Sequence, residues 1–166
     1  FLSLDRFIKL LERGFMIKDV KTFQPDRHED FRGDIYTTWN NEDYPKLNWR
    51  LDKFAHSQKD VLRGLHGDFN TWKLISCLYG EFQLIVLNND HNSKEFGQWT
   101  SFNLKDSENK QILVPPMFGN GHLVLSDVAI FHYKQSTYYN RDGQFTIKWN
   151  DPEYGFEWQS KNPILS

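Results

Sequence analysis

At 166 residues and 19.8 kDa the chain has the size of a single domain with a real core. Its 20 Lys+Arg against 22 Asp+Glu leave a net charge of -2, so there is no basic surplus to neutralise a nucleic-acid backbone. A mean hydropathy of -0.68, with no apolar run of about eighteen residues, excludes a membrane-spanning helix within the sequence. The single cysteine, Cys77, excludes an internal disulfide and a cysteine-rich zinc site, and it fits a reducing, cytoplasmic compartment. Aromatic residues make up 16% of the chain, which predicts a β-rich protein with an aromatic-lined cavity.

Leu4, Phe7, Ile8, Leu11 and Phe15 recur at helical spacing, with Ser3 placed to cap and Gly14 to terminate. Residues 1–15 therefore read as a short N-terminal helical extension ahead of a domain over residues 16–166. Beyond Met16 the texture changes to short aromatic and β-branched runs between turn residues. The runs predict strands over Asp34–Trp39, Trp72–Tyr79, Phe82–Leu87, Trp99–Leu104, Gln111–Val114, His122–Leu125, Val128–Tyr133 and Gln144–Trp149. No helix is expected between them, so the fold class is all-β, an antiparallel double-sheet roll. The paired prolines Pro115-Pro116 followed by Gly119 and Gly121 predict a tight, irregular crossing at a cavity mouth.

Three clusters could carry chemistry. Arg63, His66 and Lys73 fall within eleven residues and combine an anion clamp, a proton-transfer base and an oxyanion stabiliser. The second cluster is the stretch from Ile112 to His122. The third runs from Phe131 to Tyr139, where alternation puts Phe131 and Tyr133 on one face and His132 and Lys134 on the other. Each also has a structural reading: a lone His in a β protein is more often a satisfied structural residue, and an inward Tyr is more often a core ring than an acid.

The ordered set Asp30-Phe31-Arg32-Gly33, VLRGLH (61–66), Lys73, EFGQW (95–99), VPPMFGNGHLVLSD (114–127), YKQSTYY (133–139), IKWNDP (147–152) and PILS (163–166) resembles the nucleotide-sugar 3,5-epimerases. The type member of that family acts on dTDP-4-dehydrorhamnose. The resemblance covers nearly everything from Met16 to Ser166 and implies a cupin-type jelly roll, a homodimer, and no metal or redox cofactor. It implies His66 as the general base that removes a proton made acidic by a 4-keto group, and Tyr133 as the acid on the opposite face of the sugar ring. It further implies Lys73 as the electrostatic stabiliser of the enolate oxygen, with Arg63 and Arg32 holding the diphosphate. In the family an Asp just beyond a Leu-Ser pair orients the base; the matching pair here is Leu165-Ser166, so no carboxylate partner for His66 is assigned.

Several positions depart from the rhamnose-pathway pattern. The usual Phe and Glu after the Arg-Gly pair are Ile35 and Thr37, and the usual Gln-x-Asn before the base is Leu51-Asp52-Lys53. The Asp-x-x-x-Asp-x-Arg after Gly80 becomes Leu84, Asn88 and Asp90, and Ala-His-Gly-Phe becomes Gly119-Asn120-Gly121-His122. Asp52-Lys53-Phe54, Leu65-His66-Gly67-Asp68 and Phe118-Gly119-Asn120 look more like epimerases of GDP-4-keto-heptoses in capsule biosynthesis. That likeness adds Lys53 and Asn120 as substrate-binding candidates and makes a GDP-4-keto-heptose the expected substrate, with dTDP-4-dehydrorhamnose as the alternative. A metal-dependent cupin would need convergent His and carboxylate ligands, and only His66-Gly67-Asp68 and a distant His122 are on offer. A non-catalytic sugar-nucleotide binding protein and a keto-isomerase on the same fold complete the rivals.

Overall fold

Runs such as Phe82, Leu84 and Val86, with apolar residues at every second position, can bury one face only by pairing into sheets, and the chain does so throughout. The computed structural model describes residue 17 and residues 19–40 and 47–165. The expected helix over residues 1–15 lies outside the described residues. The strands in chain order are β1 Lys21–Phe23, β2 Arg27–Asp30, β3 Gly33–Tyr36, β4 Leu51–Gln58, β5 Leu62–Asp68 and β6 Lys73–Tyr79. They continue with β7 Glu81–Asn88, β8 Trp99–Lys105, β9 Gln111–Val114, β10 Phe118–Val124, β11 Val128–Gln135 and β12 Gln144–Thr146.

One sheet has the order β1-β9-β6-β11-β4 and the other β12-β5-β10-β7-β8, all antiparallel, while β2 and β3 form a separate hairpin. This is the double-sheet jelly roll. Its inner faces meet in a core that draws Ile75 and Cys77 from β6, Phe82, Leu84 and Val86 from β7, and Ala129 and Phe131 from β11. Cys77 is buried there, and burial pushes its thiol up to about 12, so it behaves as a small hydrophobe.

The aromatic excess goes largely elsewhere than to a cavity. Trp39, Trp49 and Trp72 cover Leu74 and Leu113 on the outer face of the first sheet. Trp99, Tyr154, Phe156 and Trp158 cover Leu65, Ile85 and Leu87 on the outer face of the second. Five of the six tryptophans therefore close the backs of the sheets, and only Trp149 lines the cavity described below.

Two differences from the sequence reading matter for the site. The strand list lacked β4 and β5, because their inward positions are polar: Lys53 and Ser57 on β4, His66 on β5. The glycine-containing stretch after Pro116 is not an irregular crossing but strand β10. Of its two glycines, Gly121 is there because the backbone is closely packed: a Cβ would lie 3.1 Å from the Arg63 carbonyl oxygen and 3.2 Å from Leu65 Cγ. The bend appears only as a shift of register against β5 between Asn120 and His122.

Candidate active site

Between the two sheets lies a cavity of about 710 Å³. The first sheet contributes Lys53 and Ala55 from β4, Lys73 from β6, and Phe131, Tyr133 and Gln135 from β11. The second contributes Arg63 and His66 from β5 and Asn120 and His122 from β10. His66 and Tyr133 thus come from opposite walls, which is the placement a base and an acid need to address two faces of one ring. Each is inward because of its place in a strand: Tyr133 shares the face of core residue Phe131, with ring centroids 5.6 Å apart, while His132 and Lys134 lie on the other face and both bond Asp52.

The protonation states follow from burial. Burial, reinforced by the positive charge of Lys73, holds the His66 imidazole below its ordinary 6.5, so it is neutral at pH 7. Its Nδ1 lies 3.2 Å from Thr146 Oγ1 on β12, the hydrogen-bond partner that the fold supplies. Burial pushes the Tyr133 hydroxyl above 10, with Tyr139 adding to the effect, so it remains a proton donor. Burial also lowers the Lys73 ammonium, opposed by Asp68 and assisted by Lys53. Lys73 Nζ donates to Asn120 Oδ1 at 3.2 Å and stands 5.9 Å from the centre of the Tyr133 ring.

The charged lining has one sign. Lys53, Arg63, Lys73, Arg141 and Lys148 border the cavity, and no carboxylate does among the described residues. In a chain with a net charge of -2 this is a local concentration of positive charge suited to a polyanion. Arg63 Nε donates to Ser57 Oγ at 3.2 Å, and Lys53 Nζ stands 4.2 Å over the Tyr139 ring.

Of the residues singled out from the sequence, His66, Tyr133, Lys73, Arg63, Asn120 and Lys53 all line this cavity. Arg32 does not. It sits at the tip of the β2–β3 hairpin, ion-paired with Asp30 and far out in solvent beside a Phe31 that is 98% exposed. The sequence reading missed Arg141, Lys148 and Thr146. Lys148 lies inside the quoted IKWNDP stretch, but a lone charge in a motif does not show where it points. Among the described residues no group of three or more His, Cys, Asp or Glu side chains is arranged to hold a metal ion.

The family model for dTDP-4-dehydrorhamnose 3,5-epimerase matches residues 15–166. The dTDP-4-dehydrorhamnose 3,5-epimerase of Salmonella typhimurium is 35% identical over 159 residues, covering 90% of this chain and 87% of that protein. The chain belongs to the dTDP-4-dehydrorhamnose 3,5-epimerase family. Members of this family are isomerases, and so is this protein. Its Escherichia coli relative of the same name is 33% identical, with 90% and 86% of the two chains covered. Among solved structures, the family's Legionella pneumophila dTDP-6-deoxy-D-glucose-3,5-epimerase, in complex with dTDP-4-keto-L-rhamnose, superposes with a TM-score of 0.88 at 31% identity. That superposition covers 93% of this chain and 86% of the other. The cavity between the sheets is therefore set in a family fold as well as in a family sequence.

Proposed function

We propose that the protein inverts C3, C5 or both in a dTDP-linked 4-keto sugar. The observation that carries this is the pairing of a neutral His66 and a protonated Tyr133 on opposite walls of a cavity whose charged lining is entirely cationic among the described residues. His66 takes the proton from the carbon beside the carbonyl, and the electron pair moves into the C4 oxygen as an enolate. Lys73 stabilises that oxygen electrostatically. Tyr133 then delivers a proton to the other face of the same carbon, which inverts it, and both side chains re-equilibrate with solvent. Arg63, with Lys53 and Asn120, holds the diphosphate end or its sugar.

The nucleotide reading departs from the GDP-4-keto-heptose preference that local motifs suggested. The family model and the named relatives all carry dTDP-sugar names, and these support thymidine over guanosine. The test is incubation with dTDP- and GDP-linked 4-keto sugars in deuterated water. Deuterium at C3 or C5 of the dTDP substrate is expected; incorporation from the GDP substrate alone would overturn the nucleotide assignment, and none from either would overturn the epimerase reading.

The working unit we infer is a homodimer. Strand β4 is eight residues long, forms one edge of its sheet and carries a Phe54 that is 65% exposed, and such an edge is normally covered. The hairpin bearing Arg32 also presents Ile35, 72% exposed. In a dimer Arg32 can serve the cavity of the other copy, which is how its role is retained.

A further inference from the structure

His122 lies on the floor of the cavity, and the proton transfers proposed above do not use it. It is 4% exposed, and its ring stacks on Phe131 with centroids 3.9 Å apart and planes 6° from parallel. Phe82 packs against it from another side at 5.5 Å. Its Nε2 is buried and has no hydrogen-bond partner among the described residues. Native folds seldom leave a buried polar nitrogen unpaired without a reason. Packing does not supply one, because a phenyl ring would stack on Phe131 equally well.

The chemistry of the ring narrows what it can bind. Burial, with the charge of Arg63 adding to it, lowers the imidazole to about 3, so it is neutral with one donor and one acceptor nitrogen. A diphosphate is served by the cations, which an uncharged ring cannot match. A hydroxyl, itself donor and acceptor, is the matching group. The surrounding floor leaves that task to His122: Ala55 and Leu62 are apolar, and the buried amide nitrogen of Gln135 is committed to the Thr137 carbonyl oxygen at 2.8 Å.

We propose that His122 is a specificity-determining residue whose imidazole hydrogen-bonds one hydroxyl of the sugar, so that the floor selects a sugar carrying that hydroxyl over its deoxy form. This rests on the reading of the cavity as the sugar-nucleotide site. The hydroxyl could belong to C2, C3 or C6, and the experiment separates them.

Calorimetric affinities of the wild-type protein and His122→Phe are measured for the nucleotide-linked glucose and for its 2-deoxy, 3-deoxy and 6-deoxy forms, in the nucleotide that the deuterium assay selects. These sugars lack the 4-keto group and stay unreacted. Wild type is expected to bind one deoxy form about tenfold or more weakly than the parent sugar. His122→Phe is expected to lose a similar factor for the parent and for the other two forms, while matching wild type on that one deoxy form. A uniform loss across all four sugars, or none, overturns the proposal. If His122→Phe does not fold, the wild-type series decides: equal affinity for all four sugars overturns it. Failure of the underlying reading shows separately, as absence of deuterium exchange by wild type with either nucleotide, and the proposal falls with it.

Discussion

His66 and Tyr133 are driven in opposite directions by the same burial, and each direction suits the role proposed for it. Desolvation disfavours the charged form, which for an imidazole is the protonated state and for a phenol the deprotonated one. The acid limb of kcat/KM should therefore lie below pH 6.5, the ordinary His value, and the alkaline limb above pH 10, which a pH profile of deuterium exchange will check. Tyr133→Phe should keep exchange at the His66 face while slowing inversion about 10²–10⁴-fold, read by comparing deuterium wash-in with product stereochemistry. His122 makes a second pH prediction. Its pKa is lowered from 6.5 to about 3, so the unfolded chain binds the extra proton between those values. Stability should be undiminished by this group above pH 6.5 and fall as the pH drops from there toward 3, by up to about 1.4 kcal/mol per pH unit. Urea melts at stepped pH should show that slope, and His122→Phe should flatten it. The chemical identity of these residues was legible in the sequence. Their protonation states were not, since they depend on neighbours such as Lys73 and Arg63 that only the packed fold brings close.

At the scale of strands, the candidate site joins two segments that read as strands, β6 and β11, to two that did not, β4 and β5. Strand β4 places Lys53, Ala55 and Ser57 inward and Phe54 outward, an inversion of the usual apolar-in pattern that arises because its inner face borders a cavity rather than a core. Strand β5 breaks the pattern at Gly64, which sits between the cavity residues Arg63 and His66 with φ +118°. A Cβ there would lie 2.5 Å from Gly121 Cα and 2.7 Å from the Asn120 carbonyl oxygen, both backbone atoms that cannot swing away. Gly33, at the β2–β3 turn, has a similar φ of +124° with nothing within 4 Å of its virtual Cβ. The pair separates strain from packing. Gly33→Ala should cost only the backbone term, about 1–3 kcal/mol, and Gly64→Ala clearly more, with loss of activity; urea midpoints will show the difference. Strands β7, β8 and β9, which serve the core, are legible in the sequence, and so are β6 and β11, whose apolar inner positions next to the core accompany the cavity residues Lys73 and Tyr133.

For the whole molecule the governing feature is charge placed against the trend of the chain. A net charge of -2 gives no hint of an anion site, yet the fold gathers Lys53, Arg63, Lys73, Arg141 and Lys148 from five separate strands, turns and loops onto one lining. Substrate affinity should accordingly weaken with rising salt, which titrations of the nucleoside diphosphate across ionic strength will measure. The homodimer inferred above from the exposed β4 edge makes a sharper prediction. If Arg32 acts across the interface, inactive His66→Ala and Arg32→Ala chains should regenerate part of the wild-type activity when mixed and allowed to exchange subunits. Activity no greater than that of the Arg32→Ala chains alone would show that Arg32 acts within its own chain or not at all.

The sequence by itself determined the fold class and the family, because strand periodicity, turn residues and motif order are local properties that survive without coordinates. It also named six residues that prove to share one cavity. Only the tertiary structure decided which charges converge, that Thr146 is the neighbour of His66 Nδ1, that Arg32 stands apart, and that most of the tryptophans seal the outer faces of the sheets. The physical reason is that desolvation and electrostatic coupling act through space. Residues as distant in the chain as His66 and Thr146, or Arg63 and His122, become neighbours only when antiparallel strands are laid side by side.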